Sequence, residues 1–156
     1  MENVYIGTLF SLLIFFSIIF LIAQARKNNG LVDIAWGLGF VIVAIYSYIA
    51  SDFKTIRGSL LTTLVILWGA RLAYYLFKRN WNTPEDYRYV NMRKRWGTKF
   101  VYLKMFLNVY ILQLVLLYMI AQPILSTNTS STDGLSMLDY IGLAVWIVGY
   151  FFEVVG

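Results

Sequence analysis

The residues of this chain whose types and spacing could do chemistry are an acid in one apolar run, Asp33, a base in the next, Arg71, and a polar island over residues 78–99, KRNWNTPEDYRYVNMRKRWGTK. The island holds seven of the 13 Lys and Arg residues: Lys78, Arg79, Arg88, Arg93, Lys94, Arg95 and Lys99. Its Arg side chains offer planar, bidentate donors suited to phosphate, and its Tyr and Trp rings offer stacking faces. A phosphate-bearing ligand with a flat ring would suit that inventory. The competing explanation is positive charge beside anionic lipid, with aromatics at headgroup level. Cys and His are both absent. That excludes thiolate nucleophiles, disulfides, imidazole base catalysis and most zinc sites, and no metal site is expected. No Walker loop or GxGxxG fingerprint occurs, so a soluble-type nucleotide fold is excluded on pattern.

The elements that must position these residues are membrane helices. Sixty per cent of the chain is hydrophobic and 13% is charged, against about 25% charged for a soluble domain. Apolar runs of about 20 residues recur, which predicts an all-α polytopic transmembrane helix bundle in a single domain. About five spans are expected, over residues 4–25, 31–50, 59–77, 100–121 and 137–156. The first run ends Ala23-Gln24-Ala25 like a signal-peptidase site. It is longer than a signal h-region, and Glu2 stands where basic residues belong, so a retained span is the better reading. Ser126 to Ser136 reads as a polar loop, with Asp133-Gly134 as a turn signal and Pro123 near the end of the preceding run.

Lys and Arg bias sets an orientation. The loops on the island's side carry nine basic residues and the opposite loops only Lys54 and Arg57, which predicts a cytoplasmic island and an outside N-terminus. The charge therefore reads as topology plus a local anion site, with no nucleic-acid partner. Asp33 then lies just inside the cytoplasmic end of the second span, and Arg71, seven residues before Lys78, is about 10 Å deep. An ionised group at a helix centre costs about 2.5–3.5 kcal/mol unless paired or hydrated. Asp33 and Arg71 are therefore expected to meet across antiparallel neighbours, lining a cavity or simply joining two helices. Asp33 shares a helical face with Trp36, and Gly142, Trp146, Gly149 and Glu153 share another, the glycines as close-packing positions. Within the island, Thr83 as N-cap with Pro84 following predicts a helix that stops at Gly97. On it Glu85, Arg88, Tyr89 and Met92 are neighbours, and Asp86, Tyr89 and Arg93 fall at related spacing.

Asp33-Ile34-Ala35-Trp36-Gly37, Trp68-Gly69-Ala70-Arg71-Leu72, Glu85-Asp86-Tyr87-Arg88-Tyr89, Met92-Arg93, Trp96-Gly97 and Gln113 occur in an order that resembles an integral membrane domain-of-unknown-function family related to the steroid 5-alpha-reductases. The resemblance covers nearly the whole chain. It implies a membrane enzyme that uses NADPH to reduce an activated carbon–carbon double bond in a hydrophobic lipid or steroid-like substrate. It also implies Asp33 as an acidic partner in the cavity, Tyr87 as a hydrogen-bond donor, and Arg71, Arg88 and Arg93 as contacts to cofactor phosphates. Trp36, Glu85, Asp86, Tyr89 and Gln113 would line the cavity, and Glu153, near the cytoplasmic end of the fifth span, is either a further cavity group or a boundary residue. Relatives continue into further helices that carry an Arg-His-Pro-Asn-Tyr-like cofactor motif, which this chain lacks. It is therefore expected to be an N-terminal portion, inactive alone, that needs a C-terminal companion chain. Two alternatives stay open: a non-catalytic membrane subunit whose basic loop binds lipid or a partner, and a lipid or isoprenyl-cysteine methyltransferase.

Overall fold

The structure, a computed structural model, describes residues 2–155. The described residues form helices α1 (Glu2–Arg26), α2 (Leu31–Ala50), α3 (Ile56–Asn80), α4 (Tyr87–Trp96), α5 (Val101–Ile120), α6 (Gln122–Asn128) and α7 (Met137–Val155). α1, α2, α3, α5 and α7 are each long and apolar enough to cross a membrane, so the chain is a polytopic transmembrane helix bundle. The expected spans fall where hydropathy placed them. α3 is longer at both ends, and its last turns take Lys78, Arg79 and Asn80 out of the island and onto the helix.

α2 is the central helix, packed against α1, α3, α5 and α6. Small residues set its crossing with α3. A Cβ on Gly37 would lie 2.7 Å from the carbonyl oxygen of Gly69, and one on Gly69 would lie 2.6 Å from that of Gly37. The two backbones therefore touch where the glycines of the two sequence motifs meet, as small residues permit in membranes. At the end of the bundle opposite the island, Asn128 is buried and its Nδ2 donates to Ala44 O (3.2 Å), Ser47 Oγ (2.9 Å) and Thr62 Oγ1 (3.1 Å). One side chain thus ties α6 to α2 and α3. This corrects the loop expected from residue 126: α6 runs to Asn128, with Pro123 in its first turn, where a missing N–H costs nothing. Its last residue, Asn128, faces a polar pocket between helices rather than water, while Ser126 stays exposed.

α5 contains a π-helical stretch over Phe106–Ile111. Such segments re-aim side chains and recur at functional sites. Here Val109 and Tyr110 of this stretch are both buried. α7 stands apart. None of its residues is buried, and it reaches α3 through an Arg57–Asp139 ion pair (2.8 Å) and an Arg71–Glu153 ion pair. The expectation that Gly142 and Gly149 are close-packing positions is therefore corrected. Nothing among the described residues lies within 4 Å of where a Cβ on either would sit. The two ion pairs act as struts, leaving cavities of about 290 and 350 Å³ between α3 and α7.

Candidate functional site

At the island end, α1 closes through Lys27 in the left-handed region (φ +54°), with Asn28 N donating to Ala23 O at 2.9 Å. That turn sets Asn28 and Asn29 over the start of α2. The island folds back on them. Arg26 donates to Trp81 O (3.2 Å) with its guanidinium 3.7 Å from the Trp81 ring centre, and Asn28 Nδ2 donates to Thr83 O (3.2 Å). α4 then starts at Tyr87, capped by Asp86, whose Oδ1 accepts from Arg88 N at 2.8 Å. It stops at Gly97 (φ +68°), as expected. The start is a correction to the Thr83 cap. Residues 83–86 stay outside the helix because Glu85 is drawn down onto Asn29, which leaves Asp86 as the first residue free to cap.

Glu85 anchors a buried polar network. Its side chain is only 6% exposed and ion-paired with Arg93. Glu85 Oε1 accepts from both Asn29 N and Asn29 Nδ2 at 2.9 Å. Asn29, fully buried, accepts in turn at Oδ1 from Gln24 Nε2 (2.8 Å) and Tyr110 OH (3.0 Å). One chain of contacts thus joins α1, α2, α4 and the π-helical stretch of α5, and it leaves few buried polar atoms without a partner.

Beside it lies a second cluster. Tyr89, 5% exposed, donates to Asp33 Oδ1 at 3.4 Å. Asp33 Oδ2 is 3.5 Å from Arg88 Nη2, and the same nitrogen is 2.9 Å from Asp86 Oδ2. Burial raises the Tyr89 phenol well above its ordinary range, with the Asp33 charge adding to it. Hydrogen bonds from the Arg88 side chain and backbone hold Asp86 below the usual carboxylate range. Asp33, Asp86, Arg88, Arg79, Asn28 and Asn80 line a polar cavity of about 200 Å³ at this end of the bundle.

The other residues singled out in the sequence fall elsewhere. Tyr87 is 73% exposed and makes no side-chain hydrogen bond among the described residues; Tyr89 is the ring that reaches Asp33. Asp33 and Arg71 do not pair, which corrects that expectation. Gly69 and Ala73 face α2, and Arg71, two residues from each, lies about 200° around the helix. Arg71 instead meets Glu153, which also accepts from Trp68 Nε1 at 3.0 Å. Trp36 packs edge-on to Phe40, and Phe40 to Trp68, each pair 5.6 Å between ring centres. Gln113 is half-buried on α5 and reaches neither cluster. Gln24, Asn29 and Tyr110 were missed. The Asn28-Asn29-Gly30 turn between two spans was the available signal for Asn29; Tyr110 had none, since its inward placement falls in a π-helical stretch.

The fold and this site together define a multi-spanning membrane protein with a polar, charge-paired pocket where α1 and α3 end and α2 and α4 begin. Residues 19–156 match the family described as protein of unknown function (DUF1295), and the chain belongs to that family. No curated protein and no solved structure matches it significantly.

Proposed function

We propose that this chain is the substrate-polarising part of a membrane oxidoreductase of the steroid 5-alpha-reductase type, acting on a hydrophobic, lipid-like enone. The observation that supports this reading best is the Asp33–Tyr89 contact at the wall of the polar cavity. Reduction of an enone adds a hydride at one carbon and a proton at the next. Negative charge develops on the carbonyl oxygen meanwhile, and a fixed donor aimed at that oxygen lowers the barrier. Asp33, about a third exposed to the cavity, would hold the proton at its carboxyl oxygen. Tyr89 orients it from behind through the phenol O–H, and Arg88 steadies the carboxylate once the proton has left. In this reading the island is cytoplasmic and the N-terminus outside, by the positive-inside bias.

NADPH supplies the hydride in enzymes of that type, and the residues here do not by themselves fit it. Arg71, Arg88 and Arg93, expected on its phosphates, are each paired with a carboxylate: Glu153, Asp86 with Asp33, and Glu85 respectively. A cavity of about 200 Å³ is also smaller than the roughly 300–1,000 Å³ that encloses even a drug-sized ligand. Dinucleotide binding calls for further surface, which a companion chain would provide. The same pairing, with the unpacked face of α7, favours a second reading in which the chain is a non-catalytic membrane subunit.

Purified protein in nanodiscs, given NADPH and an enone lipid, with and without a candidate C-terminal companion segment, separates the two. The reductase reading predicts turnover with that segment present and a fall of about 10²-fold or more on Asp33→Asn. Absence of turnover in every combination supports the subunit reading. Binding of S-adenosylmethionine in place of NADPH would sink both.

A further inference from the structure

The cavity beside Asp33 has a charge arrangement that singles out a class of ligand. Its ionised lining is two carboxylates, Asp33 and Asp86, and two guanidiniums, Arg79 and Arg88. A lining with no net charge does not select a simple anion. The four groups are not equally engaged. Asp86 and Arg88 hold each other through Oδ1–Nε (3.1 Å) and Oδ2–Nη2 (2.9 Å) contacts. Arg79 donates Nε to Asn80 Oδ1 (2.9 Å) and has no carboxylate within 4.0 Å among the described residues. Asp33 is held only loosely, at 3.4 Å by Tyr89 and 3.5 Å by Arg88. The cavity therefore presents one cation and one anion that each have hydrogen-bonding capacity to spare.

Their depth fixes the setting. Arg79 is the next-to-last residue of α3, and Asp33 lies in the first turn of α2. Both sit at the ends of spans, where phospholipid headgroups lie. The guanidinium of Arg79 fits a phosphate, and the Asp33 carboxylate fits an ammonium that still carries N–H donors.

We propose that this cavity binds the headgroup of a zwitterionic phospholipid bearing a primary amine, a phosphoethanolamine, with its phosphate on Arg79 and its ammonium on Asp33. A choline headgroup is disfavoured because its trimethylammonium has no N–H to donate. A glycerol headgroup is disfavoured because its hydroxyls are neutral and leave the Asp33 charge without a cation. The inference goes beyond the reading of Asp33 as a proton donor: Asp33 is ionised while the ammonium occupies it, and it takes up the proton once an enone substrate displaces the lipid.

The test is lipid retention, measured by native mass spectrometry of the full chain extracted from mixed micelles of phosphatidylethanolamine, phosphatidylcholine and phosphatidylglycerol. The expected result is about tenfold preferential retention of the ethanolamine lipid, lost on Arg79→Gln and, separately, on Asp33→Asn, since each removes one charge-assisted contact. Arg79 is exposed and outside any ion pair, so its replacement leaves the fold in place, and a melting curve on each variant verifies this. Equal retention of the three lipids by the unaltered chain overturns the proposal, and so does a preference that survives either substitution. The assay contains neither NADPH nor enone, so it fails or succeeds independently of the reductase reading.

Discussion

Glu85 carries more of the site's architecture than any other island residue. It is the acid through which the island grips the α1–α2 turn, because both Asn29 donors and Arg93 converge on it. Glu85→Gln keeps an acceptor for Asn29 and removes the charge that faces Arg93. The expected loss is about 2 kcal/mol, below the roughly 3–5 kcal/mol of a fully buried pair because Arg93 is partly hydrated. Thermal unfolding in detergent measures it, and an unchanged transition would contradict the network. At this scale the sequence was half legible. It pointed to Asp33, Arg88, Tyr89 and the acids of the island, all of which converge on one end of the bundle. It mispaired Asp33 with Arg71, because counting residues along a helix gives approximate depth but not which way round the helix a neighbour lies. The donor implied by resemblance, Tyr87, lies two residues from Tyr89, the ring that reaches Asp33.

Among elements, the α2–α3 crossing organises the site, since it sets Asp33 level with the last turns of α3. Gly37→Ala would drive a Cβ into the Gly69 carbonyl, and overpacking of that kind costs about 1–3 kcal/mol. Gly142→Ala, with open space around it, is expected to leave the melting temperature unchanged. Equal effects from the two substitutions would contradict the crossing described. Hydropathy made the spans legible because 20 apolar residues have few other fates. It did not disclose α6, whose Ser, Thr and Asn look like loop until the polar pocket formed by Ser47 and Thr62 is seen. Nor did it disclose the π-helical stretch of α5, since a change of hydrogen-bond register leaves apolar composition untouched. The α4 start was misplaced by three residues because Thr83 and Asp86 are both good caps, and a tertiary contact through Glu85 chose between them.

For the whole molecule, orientation is the first quantity to fix, and the chain suits the measurement because it contains no Cys. With the island cytoplasmic, Lys94→Cys should react with a membrane-impermeant maleimide only after permeabilisation, and Thr132→Cys should react in intact cells. The reverse pattern would put the polar cavity on the other side of the membrane and remove it from any cytoplasmic reductant. The proposed reaction requires Asp33 and Tyr89 to act as one proton-holding unit. A double-mutant cycle on enone reduction with Asp33→Asn and Tyr89→Phe, run with the companion segment present, tests it most directly. Each single change is expected to slow turnover, and the double variant to be no slower than Asp33→Asn alone, because the phenol acts only through the carboxyl. Fully additive losses, or an Asp33→Asn variant that turns over at the unaltered rate, would contradict it.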